Sequence, residues 1–361
     1  MHSKPLTMID IAKIAGVSYQ TISNVINQPQ KVRPETKKKI DKIIEKFHYE
    51  PVKAAQYLGK KKSQNSHNPT RSIGLIVPMY YDQMIGYFLA GYIDHIYKSL
   101  QARGYALLFM YKDLEIIARP DMHAKVFNKN LVDGLLMMES VDPEIFQYVS
   151  DQQIPVININ PGAKTPVPYS SVMGDYFDNG IQITRYLLNM GHRDIAFITA
   201  SKQLKRYLGY RSALTEAGIT IDEDLTICQK RSDRLFYDGY QSMRQLIQRK
   251  KRCTALLAYS DFQALGAIKS AIENGLSVPG DISVMGFGND ILGEYFSPSL
   301  TTVDIQKKKL ITAGVEMLLN LIENKDQDGV SITVPVSIIE RESVKKFTNK
   351  EIRYEEKQEH S

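Results

Sequence analysis

Seven short apolar runs, spread along the chain beyond residue 71, constrain the fold more than any other feature of the sequence. They are SIGLIV (72–77), YALLFM (105–110), GLLMM (134–138), VINI (156–159), IAFIT (195–199), ALLAY (255–259) and ISVMGF (282–287). Runs of this length and apolarity are typical of strands buried on both faces of a parallel sheet. Helical patterns lie between them, at Tyr87–Ala102, Ile181–Met190, Phe236–Gln248 and Phe262–Asn274. The alternation predicts a doubly wound α/β architecture of two subdomains, with ligands bound at the carboxyl ends of the strands.

The amino-terminal end carries a different pattern, TMIDIAKIAGVSYQTISNVIN at residues 7–27. Thr7 and Asp10 have the spacing of a capping box, with Asp in place of the usual Glu or Gln, so a helix should begin directly after Thr7. The apolar face of this helix is predicted to consist of Ile11, Ala12, Ile14 and Ala15. Gly16 then turns the chain, and Ser18 caps a second helix that ends near Asn27.

On the second helix, Ile22, Val25 and Ile26 recur at i, i+3 and i+4 and are predicted to face inward. The side chains left facing outward are Tyr19, Gln20, Ser23 and Asn24. A helix–turn–helix that presents hydrogen-bonding groups from the start of its second helix has the geometry that enters a major groove. The alternative is an ordinary helical hairpin with a polar outer face.

A third helix is predicted over Pro34–Phe47, because proline suits the first turn and four apolar residues follow with a period of 3.6. These residues are Ile40, Ile43, Ile44 and Phe47. The segments that follow are YEP (49–51), which ends the helix, VKAAQYL (52–58), a further short helix, and GKKKSQNSHNPTR (59–71), a polar basic linker.

Positive charge is concentrated at this end of the chain. Residues 1–62 contain 13 Lys and Arg against 5 Asp and Glu, a net charge of +8, whereas the whole chain carries +6. Such a concentration is the electrostatic footprint of a phosphate-binding surface; a solvated basic face would not explain why the charge coincides with the helix–turn–helix. Without a long apolar run or an export signal, the chain is expected to be cytoplasmic and to have no membrane partner.

The ordered succession of motifs resembles the LacI/GalR family of bacterial transcription repressors. At the amino-terminal end the resemblance is carried by TxxDIAxxAGVSxxTISxVIN, by YEP and by AxxL before the linker. It continues in SIGLIVP (72–78), VDGLL (132–136), GHRDIAFI (191–198), GYRSAL (209–214), VPGDISVMGF (278–287), PSLTTV (298–303) and RES (341–343). The resemblance covers roughly residues 6 to 344, and the succession is far more specific than any one motif.

The resemblance implies a headpiece at residues 1–50, a hinge helix and linker at 51–71, a core at 72–344 and a charged tail at 345–361. The core would be a pair of periplasmic-binding-protein-like halves, discontinuous in sequence, with chain crossings near Pro161, Asp290 and Asn324. The implied partners are double-stranded operator DNA, a second copy of the chain in a homodimer, and a small-molecule effector. The tail has no leucine heptads, so a zipper-made tetramer is not expected.

The resemblance also assigns DNA contacts. Tyr19, Gln20 and Asn24 fall on base-reading positions, and Asn24 stands where a family member has arginine. Because an amide suits adenine and arginine favours guanine, the operator preference should differ at that base pair. The residues expected at phosphates are Thr7, Ser18, Thr21, Ser23 and Asn27. In the hinge helix, Leu58 matches a leucine that wedges into the minor groove, and Ala55 its alanine neighbour.

No catalytic, cofactor or metal motif is found. The chain has no P-loop, GxGxxG, GxSxG or HExxH, and Cys228 and Cys253 have neither metal nor redox spacing. His192, within GHRDI, is predicted to be a structural feature of the family. We therefore predict a ligand-binding cleft and not an enzyme, with no cofactor and no metal.

Several residues match the family's effector positions, and others depart from them. The matching or neighbouring candidates are Tyr80, Asp175, Arg206, Arg234, Ser260 and Asp261. Gly288 stands where relatives carry Asp or Asn, and MYYDQMI (79–85) replaces the usual first cleft loop. With two arginines available and an acidic group lost, we hypothesise an anionic effector such as a phosphorylated sugar. The alternative is that Arg234 is a surface charge and that the 79–85 loop simply packs.

Three functions remain open at this stage. The first is a repressor that binds a palindromic operator as a homodimer and is gated by a sugar or sugar phosphate. The second, a solute-binding protein for a transporter, is disfavoured by the missing export signal and the basic headpiece. The third is a DNA-binding regulator with a degenerate cleft that is gated by a protein co-regulator.

Overall fold

The computed structural model describes residues 8–27, 29–46, 69–78, 85–139, 141–161, 169–229, 234–251, 253–324 and 329–348. It divides into two compact units, residues 1–68 and 69–361. The predicted contacts at Thr7, Ala55, Leu58 and Tyr80 lie outside the described residues.

Within its described residues, the first unit contains three helices, α1 (Met8–Ala15), α2 (Tyr19–Asn27) and α3 (Pro34–Lys46), with a 3-10 turn at Pro29–Lys31. Its core consists of Ile11, Ala12, Ala15, Ile22, Val25 and Ile40. Ile14, predicted to face inward, is instead 45% exposed. Each helical residue turns the side-chain direction by about 100°, so Ile14 lies well away from the face that Ile11 and Ala15 share.

The corner between α1 and α2 is formed as the sequence predicts. Gly16 has φ +67, a left-handed conformation that glycine adopts without steric cost. The Val17 N–H then donates to the Ala12 carbonyl at 3.1 Å. The Ser18 Oγ accepts the Thr21 N–H at 3.1 Å, so the predicted cap of the second helix is confirmed.

The second unit contains two parallel sheets and a small antiparallel pair. The strands are β1 (Ser72–Val77), β2 (Ala106–Lys112), β3 (Gly134–Met138), β4 (Val156–Ile159), β5 (Ser171–Met173), β6 (Ile195–Thr199), β7 (Thr226–Cys228), β8 (Ala255–Leu257), β9 (Ser283–Met285), β10 (Thr302–Asp304), β11 (Ser331–Thr333) and β12 (Ser337–Ile339). The first sheet has the order β2-β1-β3-β4-β5-β11, and the second β7-β6-β8-β9. Strands β10 and β12 pair antiparallel. The predicted doubly wound architecture is confirmed.

Helices cover the sheets of this unit. They are α4 (Ile85–Gln101), α5 (Asp113–Ile117), α6 (His123–Val126), α7 (Pro143–Gln152), α8 (Tyr176–Asn189), α9 (Lys205–Glu216), α10 (Leu235–Gln248), α11 (Asp261–Glu273), α12 (Ile291–Tyr295) and α13 (Lys307–Asn324), with 3-10 turns at Pro120–Met122 and Glu223–Leu225. None of the helices in the described ranges has the length and hydropathy of a membrane span.

The strand pairing puts the three chain crossings elsewhere than the sequence suggests. Strand β5 pairs with β4, so the chain leaves the first sheet after Met173 and not near Pro161. It returns between Asp304 and Lys307, since α13 packs on the first sheet. It leaves again after β11, which pairs with β5, and not near Asn324. Strands of three residues are too short to give a periodic signal, and so the crossings were misplaced.

Candidate DNA-reading helix and effector cleft

The outer face of α2 carries the predicted base-reading residues. Tyr19 is 49% exposed, Gln20 is exposed and Asn24 is half-buried. Ile22 and Val25 lie in the core on the opposite face. This division of the helix is the one that the sequence predicts, and it leaves the polar side chains free of the core.

The predicted phosphate contacts lie close to these residues. The Ser18 and Thr21 hydroxyl oxygens are 2.9 Å apart, and Ser23 is half-buried on the same helix. Asn27 ends α2, but its side chain lies outside what is described. The structure also brings Gln20 and Asn24 together, because Gln20 Nε2 donates to Asn24 Oδ1 at 3.1 Å.

In the second unit, Arg206 is a buried cation on α9. Its side chain is only 5% exposed, and Nη1 donates to the Tyr259 carbonyl at 2.9 Å. The guanidinium carbon lies 3.3 Å from the centroid of the Phe287 ring, 4.7 Å from that of Tyr259 and 5.6 Å from that of Tyr176. Ring faces attract cations, so three aromatic side chains stabilise the arginine in this position.

Helix packing sets the position of Arg206. A Cβ on Gly180 would lie 2.1 Å from the Arg206 carbonyl oxygen, and one on Gly209 would lie 2.0 Å from the carbonyl oxygen of Phe177. Helices α8 and α9 therefore touch backbone to backbone at two glycines. This close approach fixes the turn of α9 from which the arginine side chain projects.

Tyr176 connects this arginine with the first sheet. Its hydroxyl donates to Asn160 Oδ1, and Asn160 follows directly after strand β4 with φ +60. Asp175, the neighbouring candidate, is exposed and caps α8, since its carboxylate accepts the N–H groups of Phe177 and Asp178 at 3.1 and 3.0 Å. The tyrosine thus joins residues at the carboxyl ends of both sheets.

Ser260 and Asp261 begin helix α11. The Ser260 Oγ accepts the Gln263 N–H at 3.3 Å and caps the helix. The Asp261 carboxylate is 2% exposed and accepts the Asp290 N–H and the Thr302 hydroxyl. Burial raises the pKa of Asp261 to about 6, although these hydrogen bonds oppose the increase. Asp261 therefore braces two neighbouring loops whether or not it also contacts an effector.

Lys307, at the start of α13, was not identified from the sequence. Its Nζ lies 5.8 Å from the centroid of the buried Tyr92 ring. Burial lowers the pKa of its ammonium, whereas four carboxylates oppose that change, those of Asp290, Asp261, Asp304 and Glu139. In the sequence Lys307 is the first of three consecutive lysines. Because Lys308 and Lys309 are exposed, the sequence pattern of the three is that of a solvent-exposed run.

Two further positions of the predicted cleft are Arg234 and Gly288. Arg234 is exposed, and its guanidinium carbon lies 4.5 Å from the ring centroid of Tyr237. Gly288 has φ +134, and a Cβ there would lie 3.7 Å from Asp261 Oδ2. This backbone conformation is strained for the Asp or Asn of relatives, so the loop suits glycine.

His192 has structural contacts, in agreement with its predicted role. It is buried, with Nδ1 3.1 Å from Thr254 Oγ1 and Nε2 3.1 Å from the Lys345 carbonyl oxygen. Burial lowers the pKa of the imidazole, so the neutral ring joins these two segments at neutral pH.

Family models match both parts of the chain. Residues 7–52 match the model described as bacterial regulatory proteins, lacI family. Residues 184–344 match the periplasmic binding protein-like domain.

Curated relatives match nearly the whole length. The HTH-type transcriptional repressor PurR of Pectobacterium carotovorum subsp. carotovorum (strain PC1) is 35% identical over 344 residues, covering 94% of this chain and 96% of the relative. PurR of Yersinia enterocolitica serotype O:8 / biotype 1B is also 35% identical over 344 residues, with the same coverage. These relatives are transcriptional repressors, which confirms the prediction that the chain is not an enzyme.

Solved structures share the fold. The lac repressor dimer bound to operator and the anti-inducer ONPF has a TM-score of 0.71 at 25% identity, covering 95% of this chain and 100% of that chain. The transcriptional regulator CelR–cellobiose complex has a TM-score of 0.68 at 25% identity, covering 94% and 99%. The chain therefore belongs to the lacI family of bacterial regulatory proteins, and it is a DNA-binding transcriptional repressor with an effector-binding core.

Proposed function

We propose that the repressor binds a palindromic operator as a homodimer and is gated by a small anionic effector of the sugar phosphate class. The base-reading residues are Tyr19, Gln20 and Asn24, with phosphate contacts from the Ser18–Thr21 end of α2. The observation that carries the effector proposal is the buried Arg206 guanidinium, held among three aromatic rings at the carboxyl ends of the strands. Ligands of open α/β sheets bind at this edge.

The class of effector is inferred from two features. The planar guanidinium fork matches the oxygens of phosphate and carboxylate groups, and Arg206 is enclosed where such a pair would be shielded from water. Solved regulators of this fold include a complex with cellobiose, which favours a sugar as the body of the ligand. Gly288, in a conformation that suits glycine, supplies no carboxylate of its own to hold neutral hydroxyl groups.

The homodimer is supported by exposed apolar side chains on the core. Strand β2 is an edge of the first sheet, and Leu108 and Met110 point outward from it, 49% and 43% exposed. Near the second sheet, Ile291 and Tyr295 on α12 are also exposed. A second copy of the chain, related by a twofold axis, would bury both groups and would match the symmetry of a palindrome.

The effector proposal is tested by operator binding. Binding of the protein to a labelled operator, selected from a randomised palindromic library, is measured by fluorescence anisotropy. The titration is repeated in the presence of glucose and glucose 6-phosphate, and of fructose and fructose 6-phosphate. We expect a phosphorylated member of a pair to change the operator Kd, and its neutral counterpart to have little effect. Arg206→Gln should abolish the response, and Arg234→Gln should reduce it.

Arg185→Gln is the matched control, because Arg185 is an exposed cation on α8, paired with Glu216 at 2.6 Å. It should respond as the wild type does. Thermal unfolding of each variant separates a lost response from a lost fold. A response to neutral sugars alone would contradict the anionic effector, and specific operator binding that no metabolite changes would favour gating by a protein co-regulator.

A further inference from the structure

Two of the predicted base-reading side chains are hydrogen-bonded to each other. Gln20 Nε2 donates to Asn24 Oδ1 at 3.1 Å on the outer face of α2. The residues are one helical turn apart, so the bond links neighbours on one face. Gln20 is exposed and Asn24 half-buried, and the core residues of α2, Ile22 and Val25, lie on the other side of the helix.

The bond determines which groups each side chain presents. An amide side chain has one carbonyl oxygen, which accepts, and an NH2 group, which donates twice. Within the pair, Gln20 keeps its carbonyl oxygen and one N–H available. The Asn24 carbonyl is directed at Gln20, so Asn24 presents mainly its two N–H donors. Gln20 is thus a donor and acceptor together, whereas Asn24 is a donor.

These two sets of groups fit different base edges. Adenine offers the N7 acceptor and the N6 amino donor in the major groove, which an amide with both groups can pair in a bidentate way. Guanine offers two acceptors, N7 and O6, and thymine offers O4. The sequence alone allows adenine for both residues. With the observed bond, Gln20 is the residue that presents both the donor and the acceptor that pair with adenine.

We propose that Gln20 and Asn24 read the operator as one unit. Asn24 holds Gln20 in the orientation that pairs with adenine, and it donates its own N–H groups to guanine or thymine at a neighbouring base pair. This inference rests on the proposed base-reading role of α2. The alternative is that the bond only stabilises the surface of the helix, in which case the two residues would read bases independently.

In vitro selection with the full-length protein distinguishes these alternatives. A duplex library with a randomised inverted repeat is enriched by the wild type, and Gln20→Ala then identifies the base that Gln20 reads. Asn24→Ala removes the acceptor, and we expect the adenine preference at that same base to fall roughly three- to tenfold. Glu45→Gln, at an exposed position on α3, is the control and should leave all preferences unchanged.

Asn24→Asp separates the two roles of the asparagine. Its carboxylate still accepts from Gln20 but has no N–H donors, so adenine should persist at the Gln20 base. At the base that Asn24 reads, the preference for guanine or thymine should be lost, and cytosine becomes favoured because its N4 amino group donates. Relative base preferences are compared within each variant, since the added negative charge weakens binding to every sequence.

Each outcome decides between the interpretations. An adenine preference that is unchanged in Asn24→Ala, or lost in Asn24→Asp, would overturn the coupled reading while leaving the repressor function intact. An operator with adenine at the Asn24 base in the wild type would overturn it as well. If the wild type enriched no palindromic sequence at all, the proposed function and this inference would fail together.

Discussion

The carboxylate of Asp261 is ionised at neutral pH against the effect of its own burial. The folded environment raises its pKa from the ordinary value of 3.8 to about 6, chiefly because burial removes water from the charge. The folded protein therefore binds this proton more tightly than the unfolded chain. The contribution of Asp261 to stability is present in full below pH 3.8 and is lost as the pH rises through about 6.

We predict that Asp261→Asn removes this pH dependence. The free energy of unfolding of the wild type, measured relative to Asp261→Asn by urea denaturation, should be about 1 kcal/mol larger at pH 5 than at pH 7.5. Asp281→Asn is the control, because hydrogen bonds from Ser277 lower the pKa of Asp281 and keep it ionised at both pH values. A difference between the wild type and Asp261→Asn that is equal at both pH values would contradict the prediction.

At the scale of single residues, the sequence predicts which side chains lie in the cleft but not what each of them contacts. Arg206 and Asp261 were predicted in the cleft from their motifs, yet the partners of Asp261 are 29 and 41 residues away along the chain. Lys307 was missed because burial, which distinguishes it from the next two lysines, depends on the packing of α13 against the first sheet. Contacts of this kind arise from tertiary structure and leave no local pattern.

Glycines determine how closely the helix pairs of the core approach. Helices α10 and α11 repeat the arrangement of α8 and α9, since a Cβ on Gly239 would lie 1.9 Å from the Gln263 carbonyl oxygen and one on Gly266 would lie 1.9 Å from that of Phe236. The neighbour in each case is backbone, which cannot move aside without shifting a helix. Each of these helix pairs has a glycine from both of its helices at the contact.

We predict that Gly209→Ala destabilises the core by about 2 kcal/mol or more, because the new methyl group forces α9 away from α8. Gly91→Ala is the control: Gly91 lies on α4, and a Cβ there meets no heavy atom within 4 Å. That change should be neutral or slightly stabilising, since alanine favours a helix. The free energy of unfolding in urea measures both, and equal effects of the two substitutions would show that the close contact is unimportant.

Elements with a strong pattern could be predicted, and very short ones could not. The bounds of β1, β3, β4 and β6 are those that the apolar runs predict, and the four helices predicted between the runs agree within five residues. Strands β5, β7, β10, β11 and β12 were missed, because three residues do not establish an alternation, whereas the equally short β8 and β9 lie within the longer apolar runs 255–259 and 282–287. Since β5 and β11 extend the first sheet, their absence from the prediction is also the reason that the crossings were misplaced.

At the scale of the whole chain, positive charge is concentrated at the amino-terminal end. The net charge of +8 in residues 1–62 exceeds the +6 of the complete chain, so the remainder carries a small negative charge. Net positive charge, which raises affinity for any duplex, therefore lies at the DNA-binding end, while the proposed base-reading helix α2 would select among sequences. The core carries the exposed apolar side chains Leu108, Met110, Ile291 and Tyr295, where the proposed dimer contact lies.

We predict that Leu108→Asp converts the proposed dimer largely to a monomer, as measured by size-exclusion chromatography with light scattering. Exposed apolar side chains on an edge strand favour burial against a second copy of the chain. An unpaired carboxylate at position 108 opposes that burial, because it would be removed from water. Ile272→Asp is the control, because Ile272 is 49% exposed on α11, outside the proposed contact. It should remain dimeric.

The same pair of variants tests whether dimerisation matters for the operator. Two joined headpieces bind the second half-site as an intramolecular step, so separating them should weaken binding to a full palindrome by on the order of a hundredfold. Binding to an isolated half-site involves one headpiece and should change little. If Leu108→Asp remained dimeric, the edge strand would not be the contact. If it became monomeric yet bound the palindrome as tightly as the wild type, recognition would not depend on paired half-sites, and the twofold symmetry proposed for the complex would be wrong.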